Sequence, residues 1–337
     1  MSSASRHALA TVPPPANNWR LKALKGTLKA AVARIERQTS TVATRNTLAA
    51  LARMAPPPFG AKRSDATLAG VPCRWFAPRD AVDDLVVVHF HGGGFCMCSV
   101  KHTHEVFLAD YARTTQRLVL GVDYRKAPEH PFPVPIDDCL GVYLALLDQG
   151  RDPNRIVLSG DSAGGNLALA VVQRLREMGK PMPRGMVLMS PWVDLEMKGL
   201  TLHSNETSDY ITRAVLRKFV DAYLGSQDPT QPLASPCHAE FDGLPSMFVQ
   251  VGGDESMLSE VRWMVCKAQS HGVDARIQEW RGLVHAFQGF SAFLPESVEA
   301  LKSVRLYLDD IATHPESAET LRRRKATPSG IRRITDV

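Results

Sequence analysis

Among the serines of this 337-residue chain, Ser162 stands where a nucleophile would. It lies at the centre of Gly160-Asp161-Ser162-Ala163-Gly164, between the apolar run Arg155-Ile156-Val157-Leu158-Ser159 and a helical pattern that continues from Asn166 through Leu175. The run is short and β-branched, as a buried parallel strand is, so a tight strand-to-helix turn must join the two segments. Glycine at 160 and 164 removes the Cβ atoms that would collide there. Ser162 can then take a strained backbone conformation and project its hydroxyl above the sheet. An ordinary glycine-containing turn uses the same letters, so the pentapeptide needs support from elsewhere.

That support lies upstream. Leu85-Val86-Val87-Val88-His89-Phe90 reads as a second buried strand and runs straight into His91-Gly92-Gly93-Gly94-Phe95. Acyl transfer passes through a tetrahedral oxyanion, and backbone N–H groups that glycine leaves uncovered are well suited to stabilise it. The expected donors are Gly93, Gly94 and the N–H of Ala163, with His91 and Gly92 supporting the oxyanion loop. A phosphate cradle is the competing reading of three glycines, but the lysine-serine/threonine ending of a P-loop is missing.

The remaining partners should follow the serine in the order acid, then histidine, each after a strand. Ser246-Met247-Phe248-Val249-Gln250-Val251 reads as a strand ending in Gly252-Gly253-Asp254-Glu255, ahead of a helical pattern from Met257 to Gln269. Asp254 is expected to be the acid, with Glu255 in reserve; a helix N-cap is the other reading of Asp254. Ala275-Arg276-Ile277-Gln278-Glu279-Trp280 reads as the next strand, and its trailing loop delivers His285. The expected role of His285 is general base and then general acid, its imidazole held by Asp254.

Other candidates carry less. His271 precedes Gly272 at a helix end, where both residues have a structural use. His130, His203, His238 and His314 lack a post-strand setting. His89, His91, Cys96, Cys98, His102 and His104 are of zinc-ligand types, but without the paired Cys-x-x-Cys or His-x-x-x-His spacing of structural sites. No metal is expected, and Cys96 and Cys98 are expected to line the pocket.

Taken together, these motifs resemble those of the hormone-sensitive-lipase family of α/β-hydrolases, the bacterial family IV esterases, in the subgroup with aspartate before the serine. Further matches are Asp123-Tyr124-Arg125-Lys126-Ala127-Pro128-Glu129-His130-Pro131-Phe132-Pro133, where Lys126 replaces the usual leucine, and Ser190-Pro191-Trp192-Val193-Asp194-Leu195. Gly253-Asp254-Glu255 and Val284-His285-Ala286-Phe287 also match, with Ala286 in place of the commoner glycine. The similarity covers residues 71–310. It implies an α/β-hydrolase fold: a mostly parallel central sheet flanked by helices, with a helical cap built from the N-terminus and from an insertion at about 202–231. It also implies a carboxylesterase acting on small-molecule esters with short- to medium-chain acyl groups through an acyl-serine, without a metal or organic cofactor, and a homodimer. Two other classes compete. One is a non-catalytic ligand-binding protein on the same fold, although receptors resembling this family have lost the histidine that this chain keeps. The other is a membrane-associated lipid hydrolase.

The elements that must position these residues follow from composition and pattern. A chain with 44% hydrophobic residues buries a large core and suits one α/β domain with a smaller lid. The layout expected is cap helices over 1–58, a catalytic domain over 59–321 and a basic, disordered tail over 322–337. The net charge of +5 is concentrated at the ends, with six basic residues against one acidic in 322–337 and seven against one in 1–38, so the body is mildly acidic. No face for nucleic acid is expected. The opening residues lack an apolar signal core, no run of about 18 apolar residues occurs, and six cysteines show no disulfide framework, so a cytoplasmic location is the default. Trp19 to Arg37 reads as an amphipathic helix, Thr41 to Met54 as a second, and Pro56-Pro57-Pro58 as its stop. The first helix is expected in the cap rather than on an anionic membrane, since amphipathic helices usually bury their apolar face. Tyr124, Arg125, Asp137, Asp138 and Asp194 are expected as buried polar groups that brace the site.

Overall fold

The computed structural model describes residues 10–13, 18–38, 40–52 and 59–314. Their strands are β1 (Ala10–Val12), β2 (Ala61–Leu68), β3 (Val71–Pro78), β4 (Val86–Phe90), β5 (Leu118–Val122), β6 (Ile156–Asp161), β7 (Gly185–Met189), β8 (Ser246–Gly252) and β9 (Ala275–Trp280). They form one sheet in the order β1-β9-β8-β7-β6-β4-β5-β3-β2. β2 and β3 pair antiparallel, as do β3 and β5; every pairing from β5 across to β1 is parallel. β4, β6 and β7 are buried along their whole length. Covered on both faces, they read in sequence as mainly apolar stretches rather than as an alternation.

The helices are α1 (Trp19–Arg37), α2 (Thr41–Ala52), α3 (Glu105–Thr115), α4 (Val134–Asp148), α5 (Ala163–Glu177), α6 (Thr201–Ser204), α7 (Arg213–Leu224), α8 (Leu258–Ser270) and α9 (Pro295–Thr313). The period-2 alternation of a strand sorts the sheet's side chains between two layers of them. Val87, Val119, Val157 and Val187 share one cluster with Phe107 and Leu108 of α3 and Leu301, Val304 and Leu308 of α9. Val88, Leu120, Leu158 and Leu188 join Leu140 of α4, Leu167 and Val171 of α5 and Met264 of α8 on the other face.

The N-terminal helix has the bounds read from the sequence. Asn18 caps it by accepting the Leu21 N–H at 3.1 Å, and its amide reaches Glu296 at the start of α9. α1 packs against α7, which belongs, with α6, to the segment between β7 and β8 where the insertion was expected. The second helix is described over Thr41–Ala52; Met54, where it was expected to end, Pro56-Pro57-Pro58 and the basic tail 322–337 lie outside the described residues. β1 was not foreseen: three residues make no readable pattern, and this strand exists through its pairing with the edge of β9. Among the described residues no helix is long and apolar enough to cross a membrane.

Candidate active site

Parallel strands deliver the chemistry at their carboxyl ends. β6 stops at Asp161, α5 begins at Ala163, and Ser162 between them has φ 52° and ψ −121°, the strained turn expected of it. Gly164 makes the turn feasible, because a Cβ there would lie 1.9 Å from the Phe90 carbonyl oxygen at the end of β4. The Ser162 N–H donates to the Met189 carbonyl at 2.9 Å, and the Trp192 N–H donates to the Ser162 carbonyl at 3.0 Å, which ties the elbow to the end of β7.

Ser162 Oγ lies 2.8 Å from His285 Nε2, and the ring is 2% exposed. The group on the other side of that ring corrects the sequence reading. His285 Nδ1 is 3.0 Å from Glu255 Oε2, whereas Asp254 turns away, 30% exposed, and pairs with Lys25 of α1 at 2.7 Å. Asp254 does not cap α8 either, since Met257 holds that position. The reason is geometric. Consecutive residues leaving β8 present their side chains to different sides, and only the second enters the buried space beside His285. Glu255 is fully buried there, and its other oxygen accepts the Gly252 N–H at 2.6 Å and the Ser190 hydroxyl. Ser190 Oγ in turn accepts the Ala286 N–H at 3.1 Å. Ala286, which stands where the resemblance has glycine, adopts φ 48° in the left-handed region, a strain of about 1–2 kcal/mol for a residue with a Cβ.

Burial pushes the His285 pKa down, but the hydrogen bond and charge of Glu255, with the charges of Asp209 and Asp161, more than offset it and leave the pKa raised above the ordinary imidazole value. Asp209, from the segment between α6 and α7, was not singled out in the sequence. Its carboxylate accepts the His285 N–H at 3.1 Å, and burial raises its pKa.

The oxyanion loop is held from below by Asp161. Its Oδ1 accepts the Gly92 N–H at 2.9 Å and lies 3.1 Å from His89 Nε2, while Oδ2 lies 3.3 Å from His104 Nε2. Burial pushes this carboxyl up, yet the charge and hydrogen bond of His104 and the hydrogen bond of His89 hold it well below the usual carboxylate range. His91 is buried, stacks on Tyr124 with ring centroids 4.3 Å apart, and donates through Nδ1 to the Gly92 carbonyl at 2.7 Å. Burial lowers its pKa to about 4, so it is neutral at pH 7. Gly93 and Gly94 follow with φ 109° and 58°. The N–H groups of Gly93, Gly94 and Ala163 find no protein acceptor among the described residues.

Of the other residues singled out, Cys98 lines the cavity, but Cys96 is buried in the core and offers its carbonyl to Arg45 of α2 at 2.7 Å. His89, His91 and His104 are engaged with Asp161, the Gly92 carbonyl and one another rather than gathered around a common centre. Tyr124, Asp138 and Asp194 are buried braces: the Tyr124 hydroxyl donates to the His91 carbonyl at 2.7 Å, and Asp194 accepts the N–H groups of Glu196 and Lys198. Arg125 and Asp137 are exposed, contrary to expectation. The helical period of α4 turns Asp138 inward and its neighbour outward, and Arg125 covers Asp138 from the solvent side at 2.7 Å.

A cavity of about 350 Å³ opens over Ser162 and His285. Apolar side chains line it from Leu28, Val32 and Ile35 of α1, Leu48 of α2 and Leu216 and Phe219 of α7. Gly93, Gly94, Trp192, Tyr210 and Met257 also line it, and Thr103, His104 and Asp161 add polar groups to the lining.

A family model described as alpha/beta hydrolase fold matches residues 87–289, more than half of the chain. An esterase of Acinetobacter venetianus is 39% identical over 221 residues, 65% of this chain and 73% of its own length. An acetyl-hydrolase of Streptomyces hygroscopicus is 34% identical over 227 residues, 67% of this chain and 76% of its own. The crystal structure of an esterase from the bacterial hormone-sensitive lipase family superposes with a TM-score of 0.83 at 36% identity, covering 88% of this chain and 100% of the other. The chain belongs to the α/β-hydrolases, within the bacterial hormone-sensitive-lipase family. It is an enzyme of the carboxylic ester hydrolase class.

Proposed function

We propose that this enzyme is a serine carboxylesterase working through a Ser162–His285–Glu255 triad on esters with short- to medium-chain acyl groups. The observation that carries the proposal is the unbroken line from Ser162 Oγ to His285 Nε2, 2.8 Å, and from His285 Nδ1 to Glu255 Oε2, 3.0 Å. In this reading His285 takes the Ser162 proton as the oxygen attacks the ester carbonyl, and Glu255 holds the tautomer and stabilises the imidazolium. In this reading the N–H groups of Gly93, Gly94 and Ala163 stabilise the oxyanion. Their lack of protein acceptors supports that role, since donors committed to the fold could not be preorganised for a transition state. His285 then protonates the departing alcohol, and a water that it activates releases the acid from Ser162. The reaction uses no cofactor.

α1, α2 and α7 form the cap in this proposal. Leu21 and Val32 of α1 are buried, and Leu28 and Ile35 line the cavity, so its apolar face is spent on the body of the protein, which favours a cap over a membrane anchor. A 350 Å³ cavity is near the lower end of small-molecule sites, about 300–1,000 Å³, which supports shorter acyl chains. Hydrolysis of p-nitrophenyl acetate, butyrate, octanoate and palmitate by the wild type and Ser162→Ala tests the reading. Turnover of the shorter esters with a burst of p-nitrophenol, abolished in Ser162→Ala, is expected; activity rising with length to palmitate would overturn the chain preference.

A further inference from the structure

We propose that Asp209 is a positioning residue that fixes both loops of the triad through one carboxylate. The inference rests on the triad reading above and adds to it a residue from the segment between β7 and β8, far in sequence from both loops. Asp209 Oδ2 accepts the N–H of Ser256, the residue after Glu255, at 2.9 Å, while Oδ1 accepts the N–H of His285 itself at 3.1 Å. The same Oδ1 also accepts the Tyr210 N–H at 2.8 Å.

The neighbours of Asp209 reinforce the clamp. Asn205 donates its side-chain amide to the Glu255 carbonyl at 2.9 Å, Thr201 Oγ1 donates to the Ser256 carbonyl at 2.9 Å, and Ser256 Oγ donates to the Ile211 carbonyl at 3.0 Å. The segment from Thr201 to Ile211 thus grips the acid loop, and the Asp209 carboxylate extends the grip to the histidine backbone by a hydrogen bond.

A buried carboxylate needs compensation. Asp209 is 1% exposed, and among the described residues no lysine or arginine pairs with it, so three backbone N–H groups carry its charge. That charge has a second use. The groups facing His285 are Glu255, Asp209 and Asp161, all acidic, with the Ser162 hydroxyl and the Tyr210 ring, so Asp209 adds to Glu255 in favouring the imidazolium that forms when Ser162 gives up its proton.

Asp209→Asn separates this role from simple support of the fold. The amide can accept only one of the two loop contacts and turns an N–H toward the other, and it carries no charge. The expected result is a fall in kcat of about 10- to 100-fold, the scale of an ångström-level misplacement, with KM changed by less than about threefold. The acid limb of the kcat/KM profile should also move to lower pH, because losing a negative neighbour makes the imidazolium easier to deprotonate. Damage to the fold alone would reduce the active fraction, counted by fluorophosphonate labelling, without moving that limb. Asp254→Asn, which removes a nearby, partly exposed carboxylate paired with Lys25, should leave the limb in place. An unmoved limb and near-wild-type kcat in Asp209→Asn would overturn the proposal while an inactive Ser162→Ala left the triad reading standing; activity in Ser162→Ala would overturn the triad itself. Should Asp209→Asn not fold, amide exchange in the wild type decides: slow exchange at His285 and Ser256 is expected, and exchange as fast as in an exposed loop would overturn the clamp.

Discussion

Asp254 and Glu255 are consecutive in the chain, yet one pairs with Lys25 of the N-terminal helix at 2.7 Å while the other meets His285 Nδ1 at 3.0 Å. The two carboxylates therefore have separable effects. Glu255→Gln should lower kcat by about 10³- to 10⁴-fold, because the imidazole loses the partner that selects its tautomer. Asp254→Asn should change kcat by less than about threefold and, as a partly exposed pair, cost under about 1 kcal/mol of stability. Steady-state kinetics with urea unfolding of both variants checks this; the reverse pattern would return the acid's role to Asp254.

The same pair marks the limit of what the chain discloses. β4, β6 and β8 could be read because strands covered on both faces leave mainly apolar stretches, β9 because its apolar and polar residues alternate through Ala275, Ile277 and their neighbours, and Ser162 and Gly94 because the turns around them demand particular residue types. Which of two adjacent acids faces inward depends on the path of the backbone as it leaves β8, and nothing in Asp-Glu encodes that path. Asp209 was illegible for a related reason: its contact with His285 spans 76 residues, and its own surroundings in the sequence carry no motif. Arg125 and Asp137 were misread because adjoining a strand end does not imply facing the core.

Activity should depend on pH through His285. The base must be neutral to take the Ser162 proton, and its pKa is raised above 6.5: burial pulls it down, but Glu255, Asp209 and Asp161 more than offset that. As pH falls through the raised value the imidazolium accumulates and kcat/KM declines, so the acid limb should lie above the ordinary histidine value. Rates for p-nitrophenyl butyrate in constant-ionic-strength buffers test this, and a limb centred below pH 6.5 would contradict it. In Glu255→Gln the residual activity should show the limb displaced downward.

Gly94 couples the oxyanion loop to α7. A Cβ at this position would sit 2.2 Å from Phe219 Cδ2, and φ is 58°, so alanine meets both a ring and an unfavourable backbone region. Gly94→Ala should displace the loop and cost about 3 kcal/mol of barrier, the loss of one oxyanion donor, or roughly 10²-fold in kcat. Adding Phe219→Ala removes the clash but not the backbone strain. The double variant should recover part of the loss, a coupling that a double-mutant cycle on kcat measures. Strictly additive effects would show that the ring does not press on the loop.

The cap's contribution to chain-length preference can be isolated at Val32, which is 6% exposed and lies on the wall that α1 gives the cavity. Val32→Trp extends a ring into that apolar space while leaving Ser162, His285 and Glu255 untouched. Overfilling a packed site costs about 1–3 kcal/mol, and here the added bulk can project into the cavity instead of displacing its neighbours. An acetyl group occupies little of the space, so kcat/KM for p-nitrophenyl acetate should change by less than about threefold, whereas the octanoate should lose about 10- to 100-fold if two or three methylenes are excluded at about 0.8 kcal/mol each. The ratio of the two esters is the measurement, since misfolding lowers both alike. A ratio unchanged from wild type would place the acyl chain against another part of the lining, away from α1.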